Sequence, residues 1–461
     1  MNMFNNRTAR ILSLVGVLIL IAAGTFYLRR DRNDMDQIPT LVSRTGAVTP
    51  STEFLNAQRS VEYYRQQIKE HPGQVKNYVE LAELFMQESR VTGNHHLYIP
   101  QTQHLIDEAL HREPNNYDAL VVKGSILMTQ HRFDEALPVA RLAVAAQPLS
   151  SSAYGVLCDA LVEMGQYDEA VKVCDTMLKM KPALRVYARA SYIRELHGDI
   201  AGAAAAMRLA SDAGITGEEN RAWALTTLGS LYMRDGKLDT AAYLFRGTLD
   251  ERDSYPFALS GLAQIEAAHG RYDSAISLLS RAYQLAPEHQ FVEQLVDVLE
   301  ASGKQTEANG MTEVVTEAFA KHETNGWNIN REYAQFCLNH NVNLEDALKR
   351  AHKEYERRPQ NIDVLDTYAY ALYRTGNAND AVPIITSALR LGTKYPAMAY
   401  HAGLIYEKIG DRANAGRFLS LAMQEGLYLH VADYANARSV MASIGNLAAL
   451  TASSQTGTER Q

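Results

Sequence analysis

The chain has 461 residues, about three times an ordinary domain, which excludes a single compact core. Its net charge of −8, with 21% charged residues, excludes the overall basic excess of a nucleic-acid binder. The 46% hydrophobic content excludes disorder over most of the length.

Ile11 to Leu28 carries no charge. As a helix it rises about 27 Å, close to the thickness of a bilayer core. Arg7 and Arg10 precede it, Arg29, Arg30 and Arg32 follow it, and Tyr27 sits at its edge. This layout predicts a single N-terminal transmembrane helix, so residues 1–30 are expected to be a membrane anchor. Ala22-Ala23-Gly24 keeps a cleaved signal peptide as the alternative. The N-terminus resembles bacterial signal sequences, which implies a single-pass protein of the inner or plasma membrane with its bulk extracytoplasmic. The count of Arg on either side leaves the cytoplasmic orientation open.

Residues 31–51 lack periodicity and carry Pro, Gly, Ser and Thr, as a flexible linker does. A leading helix is expected over 52–73, capped by Ser51 or Thr52 and ended by Pro72.

From Gln74 the chain repeats itself every 34 residues: Pro114, Pro148 and Pro182 keep that spacing, as do Ala347, Ala381 and Ala415. One turn recurs with it. It reads Gly165-Gln166-Tyr167-Asp168-Glu169-Ala170, then Gly236-Lys237-Leu238-Asp239-Thr240-Ala241, then Gly270-Arg271-Tyr272-Asp273-Ser274-Ala275, with weaker copies at Gly198, Gly303, Gly376 and Gly410. The Gly can take the positive φ that ends a helix. Its Asp is expected to N-cap the next one. Leu225, Leu228 and Tyr232 share a helical face; Gly229 permits close approach, and Phe245 follows Ala241 by one turn. The pattern large-x2-Leu-small-x2-large, Gly, Ala, large, Pro resembles the tetratricopeptide repeat family. The resemblance implies an all-α fold, a right-handed superhelical solenoid of about ten helical hairpins over residues 74–429. A capping helix over 430–450 and a disordered tail over 451–461 complete the layout. Three units depart from the period, around Val91–Tyr98, Ala213–Glu219 and His322–Trp327, where altered curvature is expected.

No HExxH, GxSxG, P-loop or GxGxxG occurs, so neither an enzyme nor a cofactor is expected. Cys158, Cys174 and Cys337 form no CxxC. Buried free thiols are the ordinary expectation, with a Cys158–Cys174 bridge as the alternative. His95, His96, His104, Asp107 and His111 make a polar hairpin whose spacing matches no metal site.

The resemblance implies a concave face built from the first helix of each unit. In the last units that face carries Glu332, Phe336, Asp366, Tyr370, Tyr373 and Tyr400, with Glu293, Asp297 and Glu300 before them. An aromatic strip beside carboxylates would bind a protein or peptide partner of basic character. The alternative is that the Tyr rings pack between helices. Some relatives clamp a terminal carboxylate with Lys or Arg at the fifth position of a unit; the ten residues here, from Val79 to Tyr400, include neither. A bacterial lipopolysaccharide-assembly protein of this class also pairs a membrane segment with such repeats, but it ends in CxxC motifs absent here. The expected function is therefore a membrane-tethered scaffold holding partners on its concave face in assembly of an envelope complex. The alternative is a substrate-recognition or regulatory subunit of an envelope enzyme or secretion machine.

Overall fold

A computed structural model describes residues 38–44 and 52–458. Among them are twenty-two α-helices, each packed chiefly on its sequence neighbours. After a leading helix, Thr52–Glu70, ten hairpins open at Val75, Tyr117, Ser151, Leu184, Glu219, Pro256, His289, Asn330, Ile362 and Pro396. A last helix, Val431–Thr458, closes the array and continues into the polar stretch that was expected to be disordered. The Ile11–Leu28 run lies outside the described residues, and no described helix is long and apolar enough to cross a membrane.

The fifth and sixth hairpins are joined by a small-to-large fit. A Cβ on Gly229 would lie 2.6 Å from the Phe245 ring, and one on Gly261, in the next hairpin, 2.4 Å from it. Phe245 is fully buried between the two. One aromatic ring thus holds its own hairpin together and stacks the following one, which a lone hairpin could not do. The cap expectation needs correcting. Asp168, Asp239 and Asp273 lie inside the first turn of their helices, while Gln166, Lys237 and Arg271 occupy the cap position without a side-chain bond. There the carboxylates meet the positive end of the helix dipole rather than cap it. In the copies at Gly198 and Gly410, Asp199 and Asp411 do cap, accepting from Gly202 N and Asn414 N.

The solenoid also touches itself one superhelical turn later. Contacts recur at separations of 193 to 199 residues: Glu53 with Arg252, His95 with Glu288, His131 with Asn328, Glu163 with Arg358, Leu196 with Thr393, Met233 with Tyr428. The turn inside one hairpin meets the loop that joins the fifth and sixth hairpins after it. The chemistry explains the match. The last carbonyls of a helix have no acceptor role within it, and here the next superhelical turn donates to them. Asn361 Nδ2 reaches Glu163 O at 3.0 Å, Thr393 Oγ1 reaches Leu196 O, Tyr428 OH reaches Met233 O at 2.9 Å, and Asn328 N reaches the carbonyl of Gln130, just past a helix end, at 2.9 Å. Arg358, 3% exposed, binds Glu354 at 2.6 Å and Glu163 at 2.8 Å and lies over the Phe133 ring. Its charge is buried but fully paired, the one condition under which such burial is tolerated.

The departures from the period sit on this seam. The extra residues of the first hairpin lengthen its helices, bringing His95 and His96 against Trp327 and His322 of the seventh, with ring centroids 5.6 and 4.8 Å apart. The extension after the fourth hairpin gives Gly217 O to Arg252, which also pairs with Glu53 at 2.7 Å. Cys158, Cys174 and Cys337 are free and buried, so no bridge spans the third hairpin.

Candidate functional site

Stacked turns make the concave face the wall of an internal lumen. One cavity of about 410 Å³ is lined by Arg234 and Gln264 from the fifth and sixth hairpins and by Arg331, Asp363 and His401 from the eighth to tenth, with Asp433 from the last helix. Residues far apart in sequence therefore face one space.

The expected aromatic strip lies largely inside the wall. Phe336 is 3% exposed and packs on Phe319 and His340. Tyr370, 5% exposed, stacks on His401 with ring centroids 3.8 Å apart. Tyr400 is buried and accepts from Asn436 of the last helix at 2.7 Å. Tyr373 is half-buried and stacks against Tyr370. The two carboxylates are engaged as well: Asp366 holds His401 Nδ1 at 3.0 Å, and Glu332 pairs with Arg331 at 2.9 Å and His131 at 3.4 Å. Burial works against ionisation of Glu332, but Arg331 and His131 keep its pKa well below the usual range. These six residues join hairpins eight, nine and ten to one another and to the final helix; Tyr373 and Glu332 stay partly exposed, and Asp366 reaches the cavity wall.

The groups that face water are neighbours of these. Asp297 offers 58% of its side chain, yet its pKa is pushed up to about 7. Local exposure and the mass of surrounding protein act in opposite directions here. Burial is the largest cause; His340 opposes it, while Asp433, Glu293 and Glu300 add repulsion. Asp363 rises to about 6, again from burial first, with Arg331 pulling back and Glu163 and Asp366 pushing up. His340 lies 3.6 Å from Asp297 and 3.0 Å from Glu300. Against the cost of burial, these carboxylates raise its pKa. Carboxylates thus crowd Asp297, where His340 opposes them, while the neighbouring cavity sets Arg234 and Arg331 beside Asp363, Asp366 and Asp433. Arg331, His401 and Asp433 were not singled out from sequence; only the register of one superhelical turn on another brings them to this space.

Among the described residues no group of three or more His, Cys, Asp or Glu could hold a metal ion. His95 and His96 belong to the seam, and Asp107 is occupied by Gln103 at 2.8 Å and Lys123 at 3.7 Å.

Comparison with known proteins agrees with the repeat geometry. Two family models, each described as tetratricopeptide repeat, match residues 127–190 and residues 101–151 and 226–289. The chain is similar to the cellulose synthase operon protein C of Pseudomonas fluorescens (strain SBW25), 28% identical over 190 residues. That match takes in 39% of this chain and spans only 14% of the relative's length. Among solved structures it is similar to the APC/C hetero-tetramer Cut9-Hcn1 (12% identity, 79% of this chain and 60% of that one, TM-score 0.44) and to yeast Tom70 (12%, 84% and 94%, 0.35). It is also similar to Pseudomonas aeruginosa pilF (14%, 45% and 95%, 0.36). The matches place tetratricopeptide repeats at residues 101–190 and 226–289, and the same hairpin geometry continues on either side of them through ten packed hairpins; domains of this kind bind protein partners.

Proposed function

We propose that the protein is a membrane-tethered scaffold that holds a basic segment of a partner protein in the C-terminal half of its lumen, in assembly of an envelope complex. The observation that carries this reading is the repulsion that Asp433, Glu293 and Glu300 exert on the exposed carboxylate of Asp297, with His340 as the cation opposing them there. A Lys- or Arg-bearing segment entering there would relieve repulsion the protein itself leaves in place, and water exclusion would strengthen each pair. Residues 11–28 would hold the repeats at the membrane, with the extracytoplasmic side as the proposed location; protease protection in sealed cells tests both.

The test uses the full chain in detergent and a fluorescent peptide of alternating Lys and Ala. Binding is expected to strengthen from pH 5 to pH 8 as Asp363 and Asp297 ionise, and to fall at least tenfold in Asp297→Asn/Asp363→Asn. Equal binding by that variant would remove the reading. A second reading, a recognition or regulatory subunit of an envelope enzyme, is favoured by the 190-residue similarity to a protein named for a cellulose synthase operon. Stoichiometric co-purification of an enzyme from native membranes would support it.

A further inference from the structure

One stretch of the seam is built from groups that can change charge. His95 and His96 of the first hairpin meet His289 and His322 of the seventh. His322 lies 4.8 Å from His96 and 5.8 Å from His289, measured between ring centroids. Trp327 sits among them, 4.4 Å from His322, 5.6 Å from His95 and 6.1 Å from His131 of the second hairpin. His95 and His289 have carboxylate partners, Glu288 at 2.9 Å and Glu293 at 2.8 Å. His96 and His322 pair with no carboxylate among the described residues. His96 Nδ1 accepts from Asn325 Nδ2 at 3.1 Å, and the same amide nitrogen donates to Lys321 O at 2.8 Å. The amide cannot turn its oxygen to the ring without facing that carbonyl. The bond therefore needs the lone pair of a neutral imidazole, and a proton on Nδ1 abolishes it. His322 is 7% exposed, and its Nδ1 is buried with no hydrogen-bond partner among the described residues. The surrounding charges act the same way. Burial first, then Lys321 and His95, holds His96 neutral; burial first, then His96, His289 and His95, does so for His322, and Glu288 alone opposes them at both.

We propose that this cluster is an acid-operated latch: when His96 and His322 take up protons, the first two hairpins part from the seventh and the lumen opens along its side. A closed superhelical turn otherwise admits a chain only through its ends. The latch gives a segment held in the lumen a lateral exit, and in this it rests on the reading of the lumen as the binding channel. Farther along the seam, Glu163 with Arg358 and the bonds from Thr393 and Tyr428 keep later turns together, so the opening is confined to the N-terminal end. Acid also neutralises Asp297 and Asp363, so the two changes act together to release a basic segment.

Hydrogen exchange reads the latch directly, because one amide bridges it: Asn328 N donates to Gln130 O at 2.9 Å. Ile362 N, which donates to Tyr167 OH at 2.9 Å farther along the seam, is the control. The full chain in detergent is compared at pH 7.5 and pH 5.0, with rates corrected for the intrinsic effect of pH. Each histidine freed to its ordinary pKa favours the parted state by up to about 30-fold over this interval. Exchange at Asn328 is therefore expected to rise at least tenfold, and to stay level in His96→Gln/His322→Gln, while Ile362 stays protected in both. Circular dichroism checks that this variant is folded. The single variant His96→Gln, at a half-buried site, is a second arm and should show a smaller rise than wild type. No rise at Asn328, a rise undiminished in either variant, or an equal rise at Ile362 overturns the proposal. Failure of the Lys and Ala peptide to bind at any pH, with the exchange as expected, removes the basic-segment reading and leaves the latch standing. Peptide binding without the acid rise in exchange does the reverse.

Discussion

Tyr370 lies where helical phase puts it, on the inner face of the ninth hairpin, but the ring is stacked on His401 and its hydroxyl accepts from Arg374 at 3.1 Å. Truncation would therefore act on stability before it acts on binding. Tyr370→Ala is expected to cost about 3–5 kcal/mol in urea unfolding, the range for emptying an aromatic site in a packed core. Tyr370→Phe should cost only the hydroxyl contact, about 1 kcal/mol. A Tyr370→Ala protein as stable as wild type would mean that the ring is not packed. Sequence phase could assign Glu332, Asp366 and Tyr400 to a face. It could not tell a side chain that opens into the lumen from one that fills the joint to the next hairpin, because that depends on how tightly successive first helices converge. Asp297 and Asp363, on the same face, took the open positions.

The glycine turn shows the same division at the scale of an element. Its spacing reveals the number of hairpins and nearly every boundary, since positive φ at the helix end is a local demand. Gly165 takes φ 73° and Gly376 takes φ 91°, so Ala at either costs about 1–2 kcal/mol in backbone strain. The surroundings differ. A Cβ on Gly165 would fall 2.3 Å from the Gln360 carbonyl carbon, whereas a Cβ on Gly376 would meet nothing within 4 Å. Gly165→Ala should therefore destabilise by clearly more than Gly376→Ala, and the excess reports the seam between superhelical turns. Equal losses in thermal unfolding would deny the seam. Nothing in the hexapeptide distinguishes the two glycines; one has a later turn of the superhelix above it and the other does not.

Over the whole molecule, lumen and seam titrate in opposite directions. His96 and His322 pack against each other in the seam, and burial first, then neighbouring cations, lowers them to about 4 and about 3. As pH falls below about 6.5 the unfolded chain binds protons that these folded histidines refuse, so their contribution is destabilising between there and about pH 4. Asp297 and Asp363 are raised to about 7 and about 6. They bind protons when folded that the unfolded chain refuses until about pH 4, so acidification over that window stabilises through them. Melting curves from pH 8 to pH 4 should accordingly show a steeper acid loss in Asp297→Asn/Asp363→Asn than in wild type, and a shallower one in His96→Gln/His322→Gln. Parallel curves would contradict this assignment. The long-range pairing that creates both environments was not legible in the sequence, because a separation near 195 residues is set by accumulated curvature over several hairpins rather than by any one of them. The irregular units at Val91–Tyr98, Ala213–Glu219 and His322–Trp327 were visible as interruptions, and two of them meet across the seam.

The central claim is that partners are held inside the superhelix rather than on its outer surface. A photo-crosslinking amino acid placed at Asp363, on the lumen wall, and separately at Tyr243, 76% exposed, tests this in the native membrane. The account predicts a discrete protein adduct from position 363, reduced by Asp297→Asn, and none from position 243. Equal adducts from both positions, or none from the lumen, would contradict it.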